Sequence, residues 1–248
     1  MTESEFIHFI SEVEDASGCY NIDIDGICAY SLIRQEFRNL VAKKRGIEVM
    51  TLRNELCRSS ILSISKSTLF SIIQYIKFTV SNIFNKKAHI LFISFPRVDK
   101  IGDMFIDKFT DPLIEIACKE LPCVVLESGI MGIHKKPRAH SEIIIYIEFL
   151  KVWAFMLNLI KRPWLKLKYK NTIRTLRASL CQISDGLVDV DVQINKVLLR
   201  INEIKVYKHF YKKLGAKIIL APTRPASQFI AAHLLGIKVC ELQHGITY

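Results

Sequence analysis

The sequence predicts an α/β fold whose mostly parallel sheet is covered by helices on both faces. Two pairs of short apolar runs carry this expectation: His89–Phe95 with Cys123–Glu127, and Ala216–Ala221 with Ile237–Leu242. Each pair brackets one helical segment, the spacing of a βαβ unit. The runs are continuously apolar, as strands buried on both faces are, and do not alternate like half-exposed ones.

Taken in order, apolar residues recur at helical spacing from Ile27 to Arg45, and Gly46 ends the run. Ser65 to Phe84 reads as a second helix, with Leu69, Ile72, Ile73, Ile76, Val80 and Phe84 on one face. The strand from His89 is stopped by Pro96, and Arg97–Asp103 reads as a loop. A helix follows over Asp111–Glu120 with Pro112 in its first turn. After the strand ending at Glu127, Ser141–Ile160, Asn171–Ser184 and Val190–Leu214 read as helices, with Arg162-Pro163 breaking the first from the basic segment Lys161–Lys170. The chain then returns to strand, helix (Pro225–Leu235) and strand, with Gly215 and Gly236 opening the two strands. The expected organisation is one domain over 1–248, largely helical between about 128 and 215.

Half of the residues are hydrophobic and 24% are charged, which excludes a disordered chain. The net charge of +11 suits acidic partners such as nucleic acid, anionic lipid or phosphorylated substrates, and equally a lysine-rich surface. Seven cysteines form no CxxC pair, so the expectation is reduced core thiols, not a disulfide frame or zinc site. The acidic start Met1-Thr2-Glu3-Ser4-Glu5 lacks the basic opening of a signal peptide, so a cytoplasmic chain is expected. Ile143–Ile160 is very apolar, but Glu148 and Lys151 interrupt it, each costing about 2.5–3.5 kcal/mol in a bilayer centre. A buried or interfacial helix is the better reading. Trp153, Trp164 and the lysines from Lys161 to Lys170 suit an anionic membrane surface; a core helix with solvated lysines is the competing reading.

Parallel sheets bind ligands beyond the carboxyl ends of their strands, which selects the residues to inspect. After Leu242 come Gln243-His244-Gly245. Glycine permits a sharp turn off a strand, and histidine titrates near neutrality, so His244 can accept a proton from an attacking hydroxyl. Gln243 can orient the ring or a substrate hydroxyl. By spacing alone, a turn in which His244 caps a neighbouring element fits as well. Thr223 can cap the helix whose first turn holds Pro225, and amides there beside Arg224 can hold a phosphate. Asp99 and Asp103 lie in the loop after the first strand, and Glu127, ending the second, can act as acid or base. No His or Cys at ligand spacing accompanies the aspartates, and neither GxGxxG nor a Walker loop occurs, so no metal or cofactor is expected.

The segment Glu241-Leu242-Gln243-His244-Gly245 resembles the E-x-Q-H-G stretch of glycosyltransferases from lipopolysaccharide and capsule gene clusters. Asp23–Arg34 resembles their amino-terminal segment, with Tyr30 where tryptophan is the usual residue and Arg34 four places on; Phe109-Thr110-Asp111-Pro112 resembles a third shared stretch. A histidine-glycine pair at a comparable place also occurs in teichoic-acid glycerophosphotransferases. The resemblance implies a GT-B fold, with a Rossmann-like amino-terminal domain represented here and a carboxyl-terminal donor-binding domain absent from this chain. It implies transfer from a nucleotide sugar to a saccharide or lipid-linked acceptor. His244 would be the base or a phosphate ligand, Arg34 or Arg224 an anion contact, with Gly245, Thr223, Asp99, Asp103 and Glu127 lining the substrate. The chain alone would then be inactive. A nucleic-acid-binding protein and a non-catalytic remnant are the alternatives; the basic residues are too scattered, and recognition modules too lacking, for nucleic acid to be the expected partner.

Overall fold

The computed structural model describes residues 2–47, 69, 72–73, 88–94, 98–129, 134–222 and 226–242. The chain divides into two compact units, residues 1–55 with 155–202 and residues 56–154 with 203–248. Residues 155–202, read from sequence as part of a helical insertion in one domain, thus fall with the amino-terminal residues in a unit of their own.

Among the described residues, the unit that carries the sheet has five parallel strands: β3 (Ile90–Ile93), β6 (Cys123–Glu127), β7 (Ile144–Tyr146), β8 (Ile218–Ala221) and β9 (Lys238–Glu241). Their order is β7-β6-β3-β8-β9. Leu91 of β3 lies in register with Val124 of β6 and Ile219 of β8. In chain order the arrangement is 3-2-1-4-5, that of doubly wound sheets, with the switch point between β3 and β8. Every residue of β3, β6 and β7 is buried, so both faces are covered. One face is a cluster of Ile90, Phe92, Val125, Ile144 and Tyr146 with Ile114 of helix α3 (Asp111–Glu120). Helix α7 (Ala226–His233) connects β8 to β9.

Three expectations are corrected in this unit. Ile144–Tyr146 is a strand paired with β6, and the helix α4 begins only at Glu148. A short run of β-branched residues fits a buried strand as well as a helix, and pairing to β6 decides it. Asp99–Ile101 and Met104–Ile106 are not loop but the antiparallel strands β4 and β5. Gly102, at φ +59°, supplies the left-handed position of their two-residue connection. Of the predicted helix over 65–84, Leu69, Ile72 and Ile73 are helical and the remainder lies outside the described residues.

The other unit is helical. Helix α1 (Glu3–Ser17) opens with a capping box between Thr2 and Glu5 and ends at Gly18 in the left-handed region. Ile27–Cys28, expected to be helical, is instead the strand β2, paired with β1 (Asp23–Ile24). The Asp23 carboxylate, accepting from the Gly26 N–H at 2.6 Å, closes their turn. Helix α2 starts later, at Arg34, and runs to Lys44. Helix α4 runs through Pro163 to Lys168. Pro163 lies on an exposed side of the helix, and the predicted break does not occur. Helices α5 (Lys170–Ser184) and α6 (Val190–Leu214) follow. Phe6, Ile10, Tyr30, Phe37, Leu176 and Leu180 form much of the buried interior of this unit. The cysteines described are free, but Cys118, Cys181 and Cys240 are exposed and so are not core thiols.

Candidate functional site

In the sheet unit β3, β6 and β7 are neighbours, and their carboxyl ends meet a buried polar cluster. Glu127, the last residue of β6, is paired in register with Tyr146, the last of β7. The loop after β6 returns His134 and Arg138 to this edge. Arg138 Nε donates to Glu127 Oε2 at 2.8 Å, and its Nη1 donates to Asp111 Oδ2 and to the Phe105 carbonyl, both at 2.9 Å. His134 stands between two carboxylates, with Nδ1 3.3 Å from Glu127 Oε1 and Nε2 3.3 Å from Glu148 Oε2. Its ring lies on Tyr146, centroids 3.7 Å apart. Glu148, the first residue of α4, also accepts from the Gly129 N–H at 2.7 Å. Asp107 accepts from the Ser94 hydroxyl at the end of β3 and from the amides of Phe109 and Thr110, which fixes the start of α3.

The electrostatics of the cluster follow from its burial. Desolvation works to lower the His134 pKa, but hydrogen bonds to Glu127 and Glu148 outweigh it and the pKa is raised. For Glu148, burial works upward and the bonds from His134 and Gly129 win, so its pKa is lowered. Burial pushes the Asp111 carboxyl up despite Arg138. The Tyr146 hydroxyl is pushed up to about 12 by burial and the Glu127 charge. The cluster thus favours the protonated forms of His134, Arg138 and Tyr146. They suit bracing of the strand ends better than proton transfer. Arg138 Nη2 has no hydrogen-bond partner among the described residues, so one buried cationic donor is left over.

Glu127 is therefore the one predicted site residue found inside this cluster. Asp99 is exposed on β4 and paired with Lys108 at 2.9 Å, and Asp103 is exposed in the hairpin turn; neither joins Glu127. Among the described residues no group of three or more His, Cys, Asp or Glu side chains is arranged to hold a metal ion. Thr223, Arg224, Gln243, His244 and Gly245 lie outside the described residues. The strands before them are described: β8 ends at Ala221 and β9 at Glu241, adjacent and parallel. Among the described strands β9, which leads to His244, is outermost and not central.

Arg34 belongs to the helical unit, where Glu14 is wholly buried and surrounded by donors. Arg34 Nε lies 3.1 Å from Glu14 Oε2, Arg38 Nη2 2.7 Å from the same oxygen, and the Tyr30 hydroxyl 2.6 Å from Oε1. Tyr20 also donates to Glu14 and carries the Arg34 guanidinium over its ring. Burial works to raise the Glu14 pKa, yet the bonds from Arg38, Tyr20 and Tyr30 lower it. The tyrosine-arginine pair singled out in the sequence is thus engaged by Glu14 and closes a structural cluster.

Sequence reasoning missed His134, Arg138, Tyr146 and Glu148. The available signal was the run His134-Lys135-Lys136-Pro137-Arg138, which follows a buried strand and its Ser128-Gly129 stop. No family model, curated protein or solved structure matches the chain.

Proposed function

We propose that this chain is the amino-terminal, acceptor-side part of a GT-B-like glycosyltransferase of bacterial surface-polysaccharide assembly, built on a Rossmann-like sheet. The observation that carries the reading is the ending of β8 and β9, parallel neighbours, at Ala221 and Glu241. Those ends fall immediately before Pro222-Thr223-Arg224 and before Leu242-Gln243-His244-Gly245, on the sheet edge where such folds bind ligands. The resemblance of Glu241–Gly245 to the glycosyltransferase stretch supplies the reaction class.

In this reading His244 takes the proton of an acceptor hydroxyl as that oxygen bonds to the anomeric carbon of a nucleotide sugar. The bond from that carbon to the diphosphate breaks, and the nucleoside diphosphate leaves with the electron pair. Arg224 and the amides near Thr223 are placed by sequence to stabilise its charge. The Glu127–His134–Arg138 cluster acts at one remove, holding the ends of β6 and β7 rigid beside the site. The donor nucleotide is assigned to a second domain. The test is transfer from a panel of labelled nucleotide sugars by the natural protein, with calorimetric titration of free nucleotides into the 248-residue chain. Sugar transfer by the former and weak nucleotide binding by the latter are expected. Tight nucleotide binding by the chain alone would contradict the assignment.

A further inference from the structure

Within the helical unit, the stretch of α4 from Phe155 to Lys168 buries Asn158 and Leu165, at 5% and 1% exposure. At 3.6 residues per turn the opposite side is a stripe of Met156, Leu159, Ile160, Trp164 and Leu167. These side chains are exposed at 50, 44, 73, 57 and 73%, so the stripe is open to solvent. The same helical geometry places Arg162 and Lys166 along one margin of the stripe and Lys161 and Lys168 along the other. Lys168 Nζ sits 5.3 Å from the Trp164 ring centroid. The cations continue beyond the end of α4: Lys170, Arg174 and Arg177, with Lys166 of α4, line an open hollow of about 360 Å³. Arg177 is held by Asp191 at 2.6 Å, whereas Lys170 and Arg174 have no ion-pair partner among the described residues.

Two features decide what covers this face. No acidic residue occurs between Glu148 and Asp185. Asp25 at Lys168 and Asp191 at Arg177 are the carboxylates that meet this face among the described residues, and the other charges along it are cationic, so two copies joined through the stripe would set mostly like charges together and a second copy of the chain is disfavoured. No helix among the described residues is long and apolar enough to cross a membrane. An apolar stripe with a tryptophan, edged by lysine and arginine, matches the headgroup boundary of an anionic bilayer in both chemistry and sign.

We propose that this face docks the protein reversibly on membranes rich in anionic phospholipid. The stripe lies at the boundary of headgroups and acyl chains, and the hollow lined by Lys166, Lys170, Arg174 and Arg177 receives lipid phosphate. Docking needs neither His244 nor the transferase reading, so the two stand or fall separately.

Flotation of the full chain with vesicles of phosphatidylcholine, with and without about one-third phosphatidylglycerol, tests it. Recovery on the anionic vesicles is expected to exceed that on neutral ones by about tenfold or more. Two exposed-surface variants, Ile160→Ser with Leu167→Ser and Lys170→Glu with Arg174→Glu, should each weaken binding by about tenfold or more with unchanged far-ultraviolet circular dichroism. Millimolar inorganic phosphate at constant ionic strength should leave recovery unchanged. Equal recovery on the two vesicles, or variants that float like the unaltered chain, would overturn the proposal. So would release by inorganic phosphate, which would mark a site for a soluble anion. Sedimentation showing a lipid-free dimer that the serine pair dissolves would equally overturn it, by making the stripe a protein interface.

Discussion

Replacing Arg138 by methionine removes a guanidinium whose side chain is 1% exposed and whose partners Glu127 and Asp111 are 6% and 5% exposed. Methionine keeps much of the apolar stem but none of the three bonds, at 2.8, 2.9 and 2.9 Å, that Arg138 makes to Glu127, Asp111 and the Phe105 carbonyl. Glu127 keeps its 3.3 Å contact with His134, whereas among the described residues Asp111 keeps the hydrogen bond from the Asp107 amide. Breaking a buried pair from one side strands a charge and costs about 3–5 kcal/mol, a large share of the roughly 5–15 kcal/mol that a domain has. Urea denaturation read by circular dichroism measures the loss. Adding Asp111→Asn should recover part of it, because the stranded charge is gone, and the cycle should give a coupling of about 1–3 kcal/mol. The Asp111 pKa is already raised by burial with Arg138 present. Without Arg138 it should rise further, so the deficit should be smaller at mildly acidic pH than above neutrality. A loss below about 1 kcal/mol, typical of an exposed ion pair, would refute the view that this cluster braces the sheet edge.

The raised pKa of His134 predicts a stabilising contribution that is complete below the ordinary histidine value of about 6.5 and lost as pH rises through the folded value. The thermal midpoint of the unaltered chain should therefore fall from mildly acidic to alkaline pH more than that of His134→Gln; parallel profiles would contradict a raised His134 pKa. Glu14, whose pKa is lowered, contributes stability above the ordinary carboxylate range that is lost as pH falls through the depressed value. Glu14→Gln should cost about 3–5 kcal/mol near neutrality and much less in acid, by urea denaturation at both pH values. Arg34, with 42% of its side chain exposed, should matter less: Arg34→Lys is expected to cost about 1 kcal/mol or less, and a larger loss would show that its contact with Glu14 is not surface-like.

The parallel sheet was legible because its strands are short apolar runs between Pro, Gly and polar stops, and because Asp111–Glu120 and Val190–Leu214 have clean helix boundaries. Ile144–Tyr146 was not, since a run of isoleucines satisfies helix and buried strand alike until β6 lies beside it. Pro163 shows the opposite failure: a local breaking signal is overridden, and the helix runs through it. At the site, strand-end reasoning reached Glu127. It could not reach His134 or Arg138, which meet Glu127 only because a loop folds back, nor Glu148, which arrives from the next helix. Arg34 was singled out by resemblance, but its significance depends on Glu14, a residue with no motif around it.

The proposal that matters most is that the segment after β9 carries the base of a glycosyl transfer. The direct measurement is the turnover of the natural protein and its His244→Ala variant with the best nucleotide sugar of the panel, at saturating acceptor and across pH 6 to 9. Loss of a general base should lower kcat by about 10² or more and abolish the acidic limb of the pH profile, while nucleotide affinity stays unchanged. Unchanged turnover, with the acidic limb intact, would contradict the assignment of His244.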